Sequence, residues 1–265
     1  MGGFPIQYTD YTLHYDLDAY DMPMPEDMGY FRRNLEKRRF QTIVSLVPRG
    51  GVSRVLDIGS GSGWLSEMLF RRGFSVHAVD LGFDSIKRAS LRIKKNIENQ
   101  HGINNTGRNN LNKFIDFTLA DIYRLPYREK TFDTVVASEI IEHLDKPQQA
   151  FSEISRILRP EGYFIISTPY REIIEQTRCI HCNKKTPVNA HLHSFDTKDI
   201  EDMLNSAGFT VQKTVLFVSR PSEKLGLAGV TFFLPHVVWR LIDSVFCSVF
   251  AGQTYMIVKA KRKDM

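Results

Sequence analysis

The chain reads as an α/β protein in which a mostly parallel sheet carries helices on both faces. Three observations predict this. Short runs rich in β-branched and aromatic residues alternate with helical stretches from Val55 to Ser167, and strands and helices at that spacing form a parallel sheet covered on both sides. The first of these runs ends in Asp57-Ile58 and passes into Gly59-Ser60-Gly61-Ser62-Gly63, a glycine turn that opens a helix. The next apolar run, Ser75 to Val79, also ends in an acidic residue, Asp80. Alternate glycines allow positive φ and leave no Cβ between the backbone and a ligand lying over the strand end, so a nucleotide-like cofactor fits there.

The elements follow in order. Met1 to Met28 is rich in Tyr and Asp, holds three prolines and lacks periodicity. It reads as an arm that either packs on the surface or folds over a pocket with Tyr8, Tyr11, Tyr15 or Tyr20 as stacking surfaces. Met28 to Val47 is a basic amphipathic helix with Phe31, Leu35, Phe40, Ile43, Val44 and Leu46 among Arg32, Arg33, Lys37, Arg38 and Arg39. Its basic side is expected to be solvated, or to meet an anionic partner. After the Gly63 helix and the second strand come a helix from Phe83 to Gln100, an Asn/Gly-rich loop at Gly102–Asn112 and a strand at Phe114–Ala120. Leu125-Pro126 breaks the chain before the Phe132–Ser138 strand, the Gln148–Leu158 helix, a turn at Arg159–Gly162 and the Tyr163–Ser167 strand. A helix at Asp199–Ala207 and strands at Phe209–Val218 and Thr254–Ala260 complete the pattern. Residues 1–48 thus form the arm and basic helix, and 49–265 the α/β domain, with a loop at 170–196 and a helical insertion at 219–252.

Composition narrows the class. The 265 residues suffice for one large domain, and 42% hydrophobic with 25% charged residues excludes a disordered chain. Thirty-five basic against thirty acidic residues give +5, a mild excess that does not demand a polyanionic partner. Three cysteines argue for a reducing compartment. Met1 to Ile6 matches neither a signal segment nor a myristoylation pattern, so a cytoplasmic protein is expected.

The ordered set Leu56-Asp57-Ile58-Gly59-Ser60-Gly61-Ser62-Gly63, Val79-Asp80, Ala120-Asp121-Ile122 with Leu125-Pro126, Phe132-Asp133-Thr134-Val135-Val136 and Leu158-Arg159-Pro160-Glu161-Gly162 resembles the class I S-adenosylmethionine-dependent methyltransferases. The resemblance runs from about Val55 to Thr168. It implies a Rossmann-like, seven-stranded, mostly parallel sheet whose last strand inserts antiparallel between the fifth and sixth. It also implies roles for single residues. Gly59, Ser60 and Gly61 would line the methionine portion of the donor through their backbone, and Asp57 would hold the glycine loop near the donor's amino group. Asp80 would take the ribose hydroxyls, Asp121 the adenine amino group beside the Ile122 amide, and Leu81 the adenine face. Ser138 would border the reacting methyl.

Just past the fourth strand, Glu139-Ile140-Ile141-Glu142-His143 supplies two carboxylates and an imidazole, which a helical turn would gather at one mouth. Three readings stand open: a general base formed by His143 with Glu142, part of a divalent-metal site, or residues that only cap a helix and hydrogen-bond locally. The Glu-x-x-Glu-His pattern resembles both the ubiquinone-type O-methyltransferases and the small-RNA 2′-O-methyltransferases, and both point to an oxygen acceptor. In the RNA family a histidine two residues before a phenylalanine completes the metal site. His193 with Phe195 matches this, giving Glu139, Glu142, His143 and His193 as the implied ligands, although Asp196-Thr197-Lys198 departs from that family's pattern. Cys179, Cys182, His191 and His193 form a competing zinc set, and an uncoordinated loop over the pocket is the third reading.

The insertion patterns as a helix from Pro235 with a broad apolar arc of Val237, Val238, Trp239, Leu241, Ile242, Val245, Phe246, Val249 and Phe250, and with His236, Arg240 and Asp243 on the narrow polar side. Two charges at about 2.5 to 3.5 kcal/mol each at bilayer centre argue against a span. Packing on the domain or serving as a substrate lid is the first expectation, with a dimer face and peripheral membrane contact also open. The reaction expected is methyl transfer to an oxygen of a small or lipid-like acceptor. RNA 2′-O-methylation, and a non-catalytic cofactor-binding subunit of the same fold, are the alternatives.

Overall fold

The computed structural model describes residues 24–50, 53–101, 114–178, 185–250 and 252–264. Most of the N-terminal arm, the Gly102–Asn112 loop, Cys179 and Cys182 lie outside the described residues. Helix α1 (Tyr30–Leu46) precedes the alternating core: β1 (Arg54–Ile58), α2 (Trp64–Arg71), β2 (Ser75–Asp80), α3 (Phe83–His101), β3 (Ile115–Leu119), β4 (Phe132–Ser138), α4 (Pro147–Ile157) and β5 (Leu158–Pro169). A small hairpin, β6 (Gln176–Arg178) with β7 (Lys185–Pro187), then leads to α5 (Thr197–Ser206) and β8 (Phe209–Ser219). The insertion is α6 (Arg220–Lys224), α7 (Leu227–Val230) and α8 (His236–Val249), and the last strand is β9 (Gln253–Arg262).

Seven strands form one sheet in the order β3-β2-β1-β4-β5-β9-β8. β1 to β5 pair in parallel and β9 runs antiparallel to both its neighbours, as the resemblance implies. Successive residues face opposite sides of a strand, and here both sides are covered. Leu56, Val135, Phe164 and Ile166 pack with Phe151 and Ile154 of α4 and Ile200 and Leu204 of α5. Their neighbours Val55, Val136 and Ile165 pack instead with Ile43 and Val44 of α1, Leu65 and Leu69 of α2, and Trp239 of α8. The strand order reverses between β1 and β4, and ligands of open α/β sheets bind at the carboxyl ends flanking such a point.

Three expectations are corrected. The turn at Arg159–Gly162 lies inside β5 as a kink, with Glu161 at φ 64° and the pairing to β4 moving from Leu158 to Tyr163. The basic side of α1 is not uniformly solvated. Arg38 and Arg39 are buried, Arg38 donating to the carbonyls of Thr231 (2.8 Å) and Leu234 (2.9 Å), because burying a guanidinium requires partners for its donors. The apolar arc of α8 packs on the domain only through Trp239 at its centre. Its buried residues are Trp239 and Asp243, and most of the arc faces outward. The reason is that Trp239 and Asp243 anchor the helix from the same side: the Asp243 carboxylate accepts from the Val218 amide (3.0 Å) and pairs with Arg240 (2.8 Å).

Candidate active site

The glycine loop is built by three left-handed glycines, Gly59, Gly61 and Gly63, at φ 68°, 49° and 71°. At Gly59 the need is also steric, since a Cβ would lie 2.0 Å from Ile140 Cδ1 in the segment leaving β4. The amides of Gly59 and Ser60 donate to the Val79 carbonyl at 2.8 and 3.0 Å. Asp80 fastens the same loop, accepting from the Gly61 amide (2.7 Å) and the Gly82 amide (2.9 Å). Asp57 is buried beneath it and accepts from Ser66 Oγ at 2.5 Å. Burial, reinforced by the Asp80 charge, pushes its carboxyl up to about 7 against the relief from Ser66. Ser66, on the first turns of α2, is a site residue the sequence reading missed. An Asp-to-Ser distance of nine residues across a glycine turn carries no periodic signal.

An open cavity of about 1130 Å³ lies over this loop. Its wall includes Asp57, Gly59, Ser60 and Gly61 from the loop, Ser138, Glu139 and His143 from the end of β4, and His191 and Glu172 from beyond β5. Asp80, Leu81, Asp121 and Ile122, at the ends of β2 and β3, are not among its lining residues. Asp121 closes a local turn, its Oδ1 accepting from the Tyr123 amide at 2.9 Å, and Ile122 is buried against the core. Ser60 Oγ is buried and has no partner within the protein. A polar ligand group placed over the loop would supply one, and a half-buried strand-end carboxylate beside loop amides suits a ribose-bearing ligand.

At the acceptor side the three mouth residues do not share one helical turn. Glu139 stands immediately after β4 with a left-handed backbone, φ 56°. Its Oε1 accepts from Ser167 Oγ (2.9 Å) and its Oε2 pairs with Arg39 of α1 (2.9 Å), so it faces the helix. Ser138 Oγ lies 3.0 Å from the same Ser167 hydroxyl. Glu142 and His143 lie on a 3₁₀ turn, Ile141–His143. Glu142 is 1% exposed; its Oε2 accepts from Thr168 Oγ1 (3.1 Å), while its Oε1 is buried without a partner. Burial and the Glu139 charge hold its carboxyl well above the usual range. His143 Nδ1 is 3.3 Å from the Ala190 carbonyl, which can only accept, so the ring lone pair falls on Nε2. Burial and the neighbouring His191 ring, 4.8 Å away, push its pKa down to about 4.

The histidine joining this cluster is His191. Ligand atoms of Glu142, His143 and His191 lie within 4.8 Å of one another, and His191 Nδ1 is held by Glu172 Oε2 at 2.5 Å. His193 is placed otherwise: its Nε2 meets the Leu144 carbonyl at 2.9 Å and its ring stacks on Phe195. The reason lies in what each ring pairs with. The amides of Leu192 and His193 both donate to the Glu142 carbonyl, and the two rings then take separate partners, His191 the Glu172 carboxylate and His193 the Leu144 carbonyl. Glu139 and His193 therefore stand outside the cluster in which the motif would have included them.

A model of the methyltransferase domain family matches residues 31–214. The chain belongs to that family. Within it, the mitochondrial ubiquinone biosynthesis O-methyltransferase of Dictyostelium discoideum is 28% identical over 158 residues, 57% of this chain and 48% of that protein. The ubiquinone biosynthesis O-methyltransferase of Shewanella sp. (strain ANA-3) is 29% identical over 160 residues, 58% of this chain and 62% of that one. The methyltransferase domain here thus spans about half to three-fifths of the length of these curated relatives. A solved S-adenosylmethionine-dependent methyltransferase from Mesorhizobium loti shares the fold at a TM-score of 0.56 and 16% identity, covering 85% of this chain and 98% of that one.

Proposed function

We propose that this methyltransferase-family protein transfers a methyl group from S-adenosylmethionine to an oxygen of a small or lipid-like acceptor. The observation that carries the reading is one cavity lined both by the glycine loop and by His143 and His191. On this reading residues 49–265 are the transferase domain, and 1–48 and 219–252 shape the acceptor side. Bound over the loop, the cofactor supplies a methyl on a positively charged sulfur, which needs alignment more than activation. Gly59, Ser60, Gly61 and Asp57 hold and orient it, with Asp80, Leu81, Asp121 and Ile122 serving its nucleoside end and Ser138 bordering the methyl.

An oxygen acceptor must lose its proton. His143, its pKa depressed to about 4, presents an unprotonated nitrogen at the cavity wall; burial weakens it as a base and leaves it free of a proton to lose before binding a metal. Glu142, His143 and His191 also suit a magnesium, manganese or iron ion, with Glu172 orienting His191 from behind as carboxylates do for ligating imidazoles. Such an ion would lower the acceptor hydroxyl's pKa. The internal bonding of Arg38 and Arg39 leaves Arg32, Arg33 and Lys37 as the exposed cations of α1, which favours the small acceptor over RNA. Titration with S-adenosylmethionine by calorimetry tests the donor. Asp80→Ala is expected to weaken it by about 1.5 to 3 kcal/mol, and a wild-type protein that binds none ends the proposal. Transfer of labelled methyl to a panel of phenolic acceptors, with and without chelator, tests the rest.

A further inference from the structure

The insertion helix presents its apolar side to solvent. Val237, Leu241, Val245 and Val249, spaced four apart along α8, are each between 61% and 72% exposed, while Trp239 and Asp243 on the opposite side are 3% and 5% exposed. Val238, Ile242 and Phe250 widen this stripe. Beside it, Leu225, Val230, Phe232 and Phe233 of the preceding turns are exposed, as are Tyr30 and Phe31 of α1. The two segments are one surface: Tyr30 Oη donates to the Gly229 carbonyl (3.1 Å), the Tyr30 and Phe232 rings meet edge to face, and Phe31 packs over Gly226 and Gly229. Contiguous exposed apolar area on this scale marks an interaction site.

We infer that this surface seats the protein on an anionic lipid bilayer, with α8 lying in the plane of the interface. Charge complementarity selects this occupant. Residues 27–46 and 219–250 together carry eight Lys or Arg and four Asp or Glu, so they hold +4 of the chain's +5. Arg32, Arg33, Lys37 and Lys224 are exposed, whereas Glu36 pairs with Arg39 and Asp243 with Arg240. Asp27 and Glu223 are the exposed acids of these segments. An apolar stripe flanked by cations is the pattern of helices that lie in the headgroup region of anionic membranes. The depth fits as well, since α8 has fourteen residues, about 21 Å at 1.5 Å each, too short for a hydrocarbon core of about 30 Å. Among the described residues no helix is long and apolar enough to cross a membrane.

The surface is also continuous with the cavity. Phe31 and Ile242 belong to both the exposed patch and the cavity wall, which Leu227, Ala228, Trp239 and Phe246 extend inward. A lipid-like molecule leaving the bilayer at this face would enter the cavity along apolar side chains. Membrane seating does not depend on which reaction the cavity performs, and its test needs neither cofactor nor acceptor.

The full chain is mixed with vesicles of phosphatidylcholine alone and of phosphatidylcholine with 30% phosphatidylglycerol, and bound protein is measured by flotation, with solution mass by light scattering. Wild type is expected to float with the anionic vesicles and to release as salt is raised. Leu241→Asp with Val245→Asp, at exposed positions that should not disturb folding, is expected to lower the bound fraction at least tenfold with an unchanged circular dichroism spectrum. Arg32→Glu with Arg33→Glu should remove the preference for anionic vesicles. Absence of wild-type binding to anionic vesicles overturns the inference. So does unchanged binding in the Leu241→Asp, Val245→Asp variant. A dimer that the same pair dissociates, without vesicle binding, assigns the face to a second copy of the chain.

Discussion

The donor and acceptor halves of the cavity are built on opposite principles. The donor half is local. One strand, one glycine turn and the first turns of α2, residues 54 to 71, contribute its loop, and most of its bonds run from backbone amides to Val79 and Asp80 next door. The acceptor half is assembled over long separations. Glu139 pairs with Arg39, one hundred positions earlier, and His143 meets His191, forty-eight later. The donor half uses few buried charges; the acceptor half places Arg39, Glu139 and Glu142 together inside the fold, where removing one partner leaves another unpaired. A fixed ligand chemistry can be held by a short segment, whereas a variable acceptor is held by whichever elements converge above it.

The largest expected effect tests the acceptor half directly. If His143 and His191 act together, His143→Ala and His191→Ala should each cost about 10² to 10⁴ in methyl-transfer rate, the range for a positioned base, while leaving S-adenosylmethionine affinity within a factor of a few. Single-turnover transfer and calorimetric binding separate the two quantities. If chelator abolishes wild-type activity and added metal restores it, the cluster holds an ion. Full activity in chelator leaves His143 as a plain base, and full activity in His143→Ala removes both roles.

The next effect probes where the halves touch. Gly59→Ala places a methyl 2.0 Å from Ile140 Cδ1 on a backbone at φ 68°. The left-handed conformation costs about 1 to 2 kcal/mol and overpacking about 1 to 3, so a loss of about 2 to 5 kcal/mol in chemical denaturation is expected. In an Ile140→Ala background, which lacks both clashing atoms, Cδ1 and Cγ1, the cost of Gly59→Ala should shrink to the conformational share. An unchanged cost in that background would show that Ile140 is not what the glycine accommodates.

What was legible in the sequence follows the same division. The seven strands of the main sheet and the glycine turn were readable because a period of two, a strand-end carboxylate and a glycine spacing are all local, whereas the place of the last strand between the fifth and sixth came only from the family resemblance. The β4 boundaries at Phe132 and Ser138 were matched to the residue. His193 was chosen over His191 because a motif carries spacing and not the direction of a side chain, which here shows in the partners the two rings take, Glu172 for His191 and the Leu144 carbonyl for His193. The burial of Arg38 was illegible because its acceptors are backbone carbonyls at 231 to 234, which any residue type supplies. Composition also gave no means to foresee that α8 turns its apolar arc outward. That orientation goes with Trp239 buried in the core and Asp243 reaching the Val218 amide on the same side, contacts that the pattern of apolar residues does not encode.

A buried carboxylate in the donor half gives a smaller, pH-dependent test. In the folded protein the Asp57 carboxyl is raised from 3.8 to about 7 by burial first and the Asp80 charge second. Between those values the unfolded chain releases the proton and the folded one keeps it, so this group's stabilising contribution is full below about 4 and is lost as pH rises to about 7. At 1.36 kcal/mol per unit the upper bound is about 4 kcal/mol. Asp57→Asn retains an oxygen for Ser66 and cannot ionise, so its denaturation free energy should fall less steeply from pH 4 to 7 and exceed wild type above pH 7. Glu139 and Glu142, also raised by burial, contribute a slope of the same sign and should remain in the variant. Parallel pH profiles for variant and wild type would remove Asp57 as a source of the slope.

The smallest effect separates the motif from the geometry. His193 holds the Leu144 carbonyl at 2.9 Å and stacks on Phe195, with ring centroids 5.6 Å apart. A hydrogen bond of this kind contributes about 0.5 to 1.5 kcal/mol, so His193→Ala should lose about that much stability and keep its methyl-transfer rate within a factor of a few. His193→Gln, whose amide can still donate to Leu144, should recover part of the stability. Were His193 a ligand in place of His191, the alanine variant would instead lose activity as His143→Ala does, and excess metal would partly restore it. Loss of even its supporting role at a metal centre ordinarily costs 10- to 100-fold in affinity or activity. A near-silent His193→Ala beside a crippled His191→Ala therefore assigns the cluster by geometry, and the reverse outcome would require His193 to leave the Leu144 carbonyl and turn into the cluster when the site is at work.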